Sequence, residues 1–259
     1  MPDTLLTRVP SMKGRVSAEE WQMRVDLAAC YRLAARYGWV DLIATHISAR
    51  VPAPKGQHHF LINPFGMLFA QVTASSLVKI DQDGRKIEES PYPVNPAGFV
   101  IHSALHMHSA DAICVLHTHT VAGMAVSMQK KGLLMASQHA ACFHGHVGYH
   151  DIKHMEAGVE GREILANDLG LHRALIMRNH GLLTTGRTVA EAFTIMHFLE
   201  KACAAQIAAQ SGGAEIEMMD EKTCAWIADV SFNGTLKHSE MAWPSLLATL
   251  DESEPAYKN

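Results

Sequence analysis

Apolar residues recur along this chain at two periods, and the changes of period mark its elements. Ser17-Ala18-Glu19-Glu20 is a Ser-x-x-Glu capping box. The Ala-rich amphipathic stretch behind it runs to Tyr37-Gly38, so a helix is predicted over 18–37. Residues 42–51 and 58–62 read as two strands joined by a Pro/Gly connection, with Asn63-Pro64-Phe65-Gly66 as the following turn and Asp81-Gln82-Asp83-Gly84 as a hairpin signal. A helix over 97–107 precedes Ala112-Ile113-Cys114-Val115-Leu116, a buried-strand pattern, and a short helix over 120–127 follows. Residues 155–169 are helical and close at Gly170, 174–177 form a strand, and 182–185 resume the apolar character. Thr188-Val189-Ala190-Glu191 is a second capping box, opening a long helix that Gly212-Gly213 stops. This alternation predicts an α/β fold with helices covering a mixed sheet. The tail over 251–259 is expected to be weakly ordered.

Composition narrows the class. With 259 residues, 48% apolar and 19% charged, the chain suits one α/β domain, and no compositional break divides it. A net charge of -4 supplies no basic field for nucleic acid or an anionic membrane, so a small-molecule partner is expected. Five cysteines without a Cys-x-x-Cys spacing read as reduced thiols of a cytoplasmic protein. No segment has signal-peptide or transmembrane character.

The candidate chemistry begins at His117-Thr118-His119, where the apolar run ends. Residues i and i+2 of a strand share a face, so two imidazoles leave the strand side by side. On that dipeptide alone a chance pair is the simpler reading. Arg178-Asn179-His180-Gly181, at the exit of the 174–177 strand, adds a third histidine at another strand end. Three neutral imidazoles with an open fourth position suit a catalytic zinc better than a structural one.

The surrounding sequence resembles the class II aldolase/adducin family from about Trp21 to about Gln210. The resemblance is carried by Thr45-His46-Ile47-Ser48-Ala49-Arg50-Val51, Phe60-Leu61-Ile62-Asn63-Pro64-Phe65-Gly66, the stretch 73–81, Asn95-Pro96-Ala97-Gly98-Phe99-Val100-Ile101-His102 and both histidine segments. It is closer to adducin heads and their stand-alone bacterial relatives than to sugar-phosphate aldolases. It implies a three-layer α/β/α sandwich with a mixed central sheet over 17–213, flanked by extensions over 1–16 and 214–259. The latter, with Trp226 and Trp243, is expected to pack on the domain or on a neighbouring subunit. The resemblance also implies a divalent metal (zinc, with Fe2+ or Mn2+ as alternatives) on His117, His119 and His180, and a homotetramer.

The chain departs from the aldolases in ways that bear on chemistry. Their acid/base carboxylate, four residues before the position of His102, is Gly98 here. Where they cradle phosphate, this chain has His46, Phe65 and Pro96-Ala97, which lack the aligned donors a phosphate requires. His139 and Tyr149 are the candidates for the missing acid/base work, by analogy with a catalytic tyrosine that the aldolases supply from a neighbour near position 138–139. His150 and His154 are read as solvated loop histidines. His102 and His106, at i and i+4, are read as core groups with hydrogen bonds, and Glu191, His197 and Glu200 as packing or supporting groups. Lys79 and Asp81 are assigned to structure or an interface, Asn179 to orienting the His180 loop, and Gly181 to its turn.

The expected function is a metal-dependent, aldolase-like lyase for an unphosphorylated hydroxy or oxo acid. A non-catalytic adducin-like oligomeric module is one alternative; without a Lys-rich tail in the sequence given, an actin role is not expected of it. An Fe(II)-dependent oxygenase or decarboxylase of an aromatic acid is the other.

Overall fold

The computed structural model describes residues 10–154 and 159–259. Its strands are β1 (Ile47–Val51), β2 (His59–Ile62), β3 (Val78–Asp81), β4 (Cys114–Thr118), β5 (Val147–His150), β6 (Ala174–Met177) and β7 (Gly181–Gly186). Its helices are α1 (Ala18–Arg36), α2 (Pro96–His108), α3 (Val121–Ser127), α4 (Gln138–Ala141), α5 (Val159–Leu169), α6 (Val189–Ser211) and α7 (Glu221–Ser253). The seven strands form one mixed sheet in the order β3-β2-β1-β4-β7-β6-β5. Every pairing is antiparallel except β5 with β6.

Alternation along the central strands feeds two cores. Val115, Leu175, Met177 and Leu183 pack with Ala104 and Leu105 of α2 and Leu165 and Leu169 of α5. Their neighbours Cys114, Leu116, Ile176 and Leu182 face α1 and α6. Helices therefore cover both faces, which is the expected sandwich. The same alternation aims the end of β4, sending Thr118 toward α6 and His117 toward α2.

Both capping boxes form only in half. Ser17 accepts from the Glu20 N–H at 3.1 Å, but the Glu20 carboxylate turns inward to Arg24 (3.0 Å) and Lys79 (2.6 Å). Arg24 is fully buried and also donates to Glu88 and to the Ala74 and Leu77 carbonyls, so Lys79 serves structure. Thr188 accepts from the Glu191 N–H at 3.0 Å, while Glu191 takes the N–H and guanidinium of Arg187. Asp81 shapes its turn by accepting from the Asp83 and Arg85 N–H groups.

Four expectations need correction. The first strand starts at Ile47 rather than 42, because Leu42 stands exposed at φ 47° in a turn closed by Ala44 N–H to Asp41. The segment 147–150 is a strand: its backbone pairs with β6, and His150 is buried with Nδ1 donating to Asp168 at 2.8 Å, so it is not a solvated loop histidine. The tail is ordered. Tyr257 is fully buried, and the Tyr257 and Asn259 carbonyls accept from the Ala74 and Ser75 N–H groups. Finally, the left-handed residue beside His180 is Asn179 (φ 56°), whereas Gly181 is needed because a Cβ there would strike the Thr118 carbonyl.

Helix α7 lies against α6, α1 and α4; Trp243 is buried and donates to Asp26 at 2.9 Å, while Trp226 stays exposed. All five cysteines are free and buried. Among the described residues no helix is long and apolar enough to cross a membrane. The expected helix start at 155 and most of the expected N-terminal extension fall outside the described residues.

Candidate metal centre

Three imidazoles converge where β4 ends and β7 begins. The Nε2 atoms of His119 and His117 are 2.9 Å apart, those of His119 and His180 are 2.7 Å apart, and those of His117 and His180 are 3.3 Å apart. Strand pairing brings them together. β4 and β7 are antiparallel neighbours with Thr118 opposite Leu182, so the loop before β7 returns His180 to the end of β4.

The outer nitrogens decide what the inner ones are. His117 Nδ1 donates to the Leu182 carbonyl at 2.8 Å, and His119 Nδ1 donates to Asp41 at 2.9 Å. A neutral imidazole with its proton on Nδ1 presents a bare lone pair at Nε2. Two such lone pairs facing each other repel unless a cation or a proton lies between them. The residues therefore fit a divalent ion, and the acceptors behind the rings are the supports that metal-binding histidines use. Burial, reinforced by the neighbouring imidazoles, holds His117 well below the ordinary histidine pKa and pushes His180 down to about 4. Both are thus neutral near pH 7, the form a metal requires.

His119 is braced from a second direction. The Glu200 carboxylate accepts from Thr118 Oγ1 at 2.8 Å and from Thr120 Oγ1 at 2.6 Å, clamping both residues that flank it. The Thr120 hydroxyl also accepts from the Gly123 N–H and so caps α3. Replacing Glu200 with Ala is expected to weaken metal affinity about 10–100-fold with the fold retained, as calorimetric titration would measure.

Behind the three rings lies a second set of imidazoles. His46 is buried, stacks on His102 at 4.2 Å and meets His117 edge-on at 5.5 Å. Burial and the nearby His119 push its pKa down to about 3, against a hydrogen bond to the Gly98 backbone that acts the other way. The hydroxyl of Ser48 lies 2.7 Å from both His102 Nδ1 and His106 Nε2, and His106 Nδ1 donates to the Ala112 carbonyl at 2.5 Å. These two are core groups with hydrogen bonds, as the sequence implies.

The chain does not bring the proposed acid/base residues to the centre through its described contacts. His139 is exposed on α4 with its ring 5.5 Å from Phe198. Tyr149 accepts from the Leu133 N–H at 3.0 Å and carries the Arg178 guanidinium over its ring at 4.3 Å, so it braces the approach to His180. His197 packs among Tyr37, Trp39 and Phe198, and Glu191 is held by Arg187 and Arg173. Sequence reasoning missed Asp41, which lies 78 positions from His119 in a stretch without a motif. It also missed the inward place of His150, which is buried and bonded to Asp168.

Residues 25–207 match the family described as Class II Aldolase and Adducin N-terminal domain. The crystal structure of an aldolase II superfamily protein from Pseudomonas syringae superposes with a TM-score of 0.89 at 46% identity, covering 96% of this chain and 100% of that one. L-fuculose 1-phosphate aldolase from Glaciozyma antarctica PI12 gives a TM-score of 0.81 at 27% identity, over 99% of this chain and 98% of that one. Alpha-adducin of Rattus norvegicus is 42% identical over 220 residues, which are 82% of this chain and 30% of the adducin.

Proposed function

The chain belongs to the class II aldolase and adducin N-terminal domain family, and from that premise we propose that it is a divalent-metal-dependent, aldolase-like lyase of a small unphosphorylated hydroxy or oxo acid. The observation that carries this reading is the convergence of the three Nε2 atoms with the outer nitrogens of His117 and His119 held by acceptors. His117, His119 and His180 are the proposed ligands, and zinc is the proposed ion. A bound divalent ion supplies Lewis acidity at a carbonyl or alkoxide oxygen. The protein's own part is to keep His117 and His180 deprotonated, to fix His117 and His119 through Leu182 and Asp41, and to leave a fourth position open.

Proton transfer needs another group, because Gly98 has no side chain. His139, exposed on α4, is the residue we assign to it, acting at the centre of a neighbouring subunit in a closed homo-oligomer, a tetramer. A fully active monomer in light scattering contradicts that assignment. So does full activity of a His139→Ala variant. Tyr149 is reassigned to support because of its bond to Leu133.

The absence of phosphate from the proposed substrate rests on His46, which fills its surroundings, and on Phe65 and Pro96, which add no side-chain donor. Metal-loaded protein is therefore expected to cleave members of a panel of unphosphorylated hydroxy-oxo acids. Fuculose 1-phosphate and ribulose 5-phosphate should turn over at least about 100-fold less efficiently, a loss of about 2.7 kcal/mol in transition-state stabilisation. Efficient cleavage of either sugar phosphate contradicts the reading. Similarity to alpha-adducin together with Gly98 favours a second reading, a non-catalytic binding module. Metal uptake without turnover of any panel member distinguishes it.

A further inference from the structure

We propose that His46 and Gly98 form a size-exchange pair that keeps the centre free of carboxylate and makes it a receptor for a small, doubly charged anionic chelator. The anion clause rests on the metal reading above.

The exchange is geometric. A Cβ built on Gly98 would lie 2.7 Å from His46 Nε2 and 2.9 Å from its Cγ, so any side chain at position 98 competes for the volume this imidazole fills. Gly98 sits in the first turn of α2, where its N–H donates to the Asn95 side chain at 3.3 Å; that fixes the helix start and leaves the backbone little room to yield. Nor can His46 move aside easily. It is 3% exposed, sandwiched between His102 and His117, and its carbonyl accepts from the His117 N–H at 3.3 Å. Neither ring nitrogen of His46 makes a well-formed hydrogen bond, and the backbone polar group that acts on the ring is that of Gly98 itself. The ring is held by shape, which is how a group that serves as volume is held.

The consequence is electrostatic. His46 stacks on His102 and meets His117 edge-on, so the volume behind His117 is filled by imidazole and not by carboxylate. Among the described residues, the carboxylates that support the triad are Asp41, on the outer side of His119, and Glu200, which acts through two threonine hydroxyls. Neither reaches an Nε2 atom. A divalent ion held by three imidazoles would keep most of its double charge at this half-buried centre, and a dianion with two oxygens placed to chelate would balance it. A side-chain carboxylate at position 98 would cancel part of that charge, and His46 forbids it.

The test is a double-mutant cycle read in two ways. Melting of the metal-free proteins comes first. Gly98→Glu alone should lower Tm sharply or fail to fold, whereas Gly98→Glu combined with His46→Asn should fold and recover more than half of the loss. Destabilisation in the double variant equal to the sum of the singles overturns the exchange. Calorimetric titration of zinc-loaded protein with oxalate follows. The wild type should bind oxalate at least tenfold more tightly than the double variant, because the carboxylate introduced at position 98 would offset the charge. Zinc uptake with equal oxalate affinity in both overturns the proposal alone. A wild type that takes up no zinc overturns the metal reading and the anion clause with it.

Discussion

Acidified below about pH 6, the metal-free protein is expected to lose stability steeply and to unfold near pH 5. Four histidines, His46, His102, His106 and His117, are at most 3% exposed and have pKa values lowered from 6.5, those of His46 and His106 to about 3. Burial is the main cause in each. Because the folded values lie below the unfolded one, the unfolded chain binds protons that the folded chain refuses throughout the window from about 6.5 down to about 3. Stability is therefore complete above that window and falls as the pH drops through it. Each fully coupled group contributes about 1.4 kcal/mol per pH unit. Four together cost about 5 kcal/mol per unit, against a total stability of about 5–15 kcal/mol for a domain. Chemical denaturation between pH 7 and 5 measures the slope. A stability that stays flat over that range would mean that these rings ionise freely in the folded protein.

Replacing Arg24 with Leu is expected to cost about 3–5 kcal/mol, the range for breaking a buried ion network from one side. Arg24 has no exposed surface and joins Glu20 and Glu88 to the carbonyls of Ala74 and Leu77, tying α1 to the segment before β3. Without it, two buried carbonyls lose their donor. Lys79, 2.6 Å from Glu20 and 3.5 Å from Glu88, limits the charge left unpaired, so the lower end of the range is expected. Equilibrium denaturation in urea gives the value. A loss below about 1 kcal/mol would show the network to be no stronger than a surface pair.

What the sequence discloses of this fold follows local chemistry. The helix starts at Ser17 and Thr188 are legible because one hydroxyl and one N–H three residues on are enough to make a cap. The destination of the acid in each box is not, since Glu20 and Glu191 turn to arginines four positions away, Arg24 and Arg187, and also to the distant Lys79 and Arg173 that the fold brings in. β6 is legible over all four residues as an apolar run bounded by polar ones. β5 is not: Val147-Gly148-Tyr149-His150 lacks apolar alternation and takes its strand from pairing with β6. The tail reads as polar and loose, yet Tyr257 is buried in the core, and the backbone at Asn259 and the Glu254 carboxylate add further ties. At the centre, the three histidines could be read from strand geometry and resemblance together. Asp41 could not, because its bond to His119 exists only once the turn at Leu42 folds the loop back over β4. The match between His46 and Gly98 is likewise a matter of volume, which no spacing along the chain encodes.

The central claim is that His117, His119 and His180 together hold one divalent ion, and elemental analysis after zinc loading and removal of excess metal tests it most directly. The wild type should retain one zinc per chain. The His119→Ala variant, folded by circular dichroism, should retain essentially none, because it removes the ring whose Nε2 lies closest to both others. A wild type without bound metal, or a His119→Ala variant that still carries one ion per chain, would contradict the account.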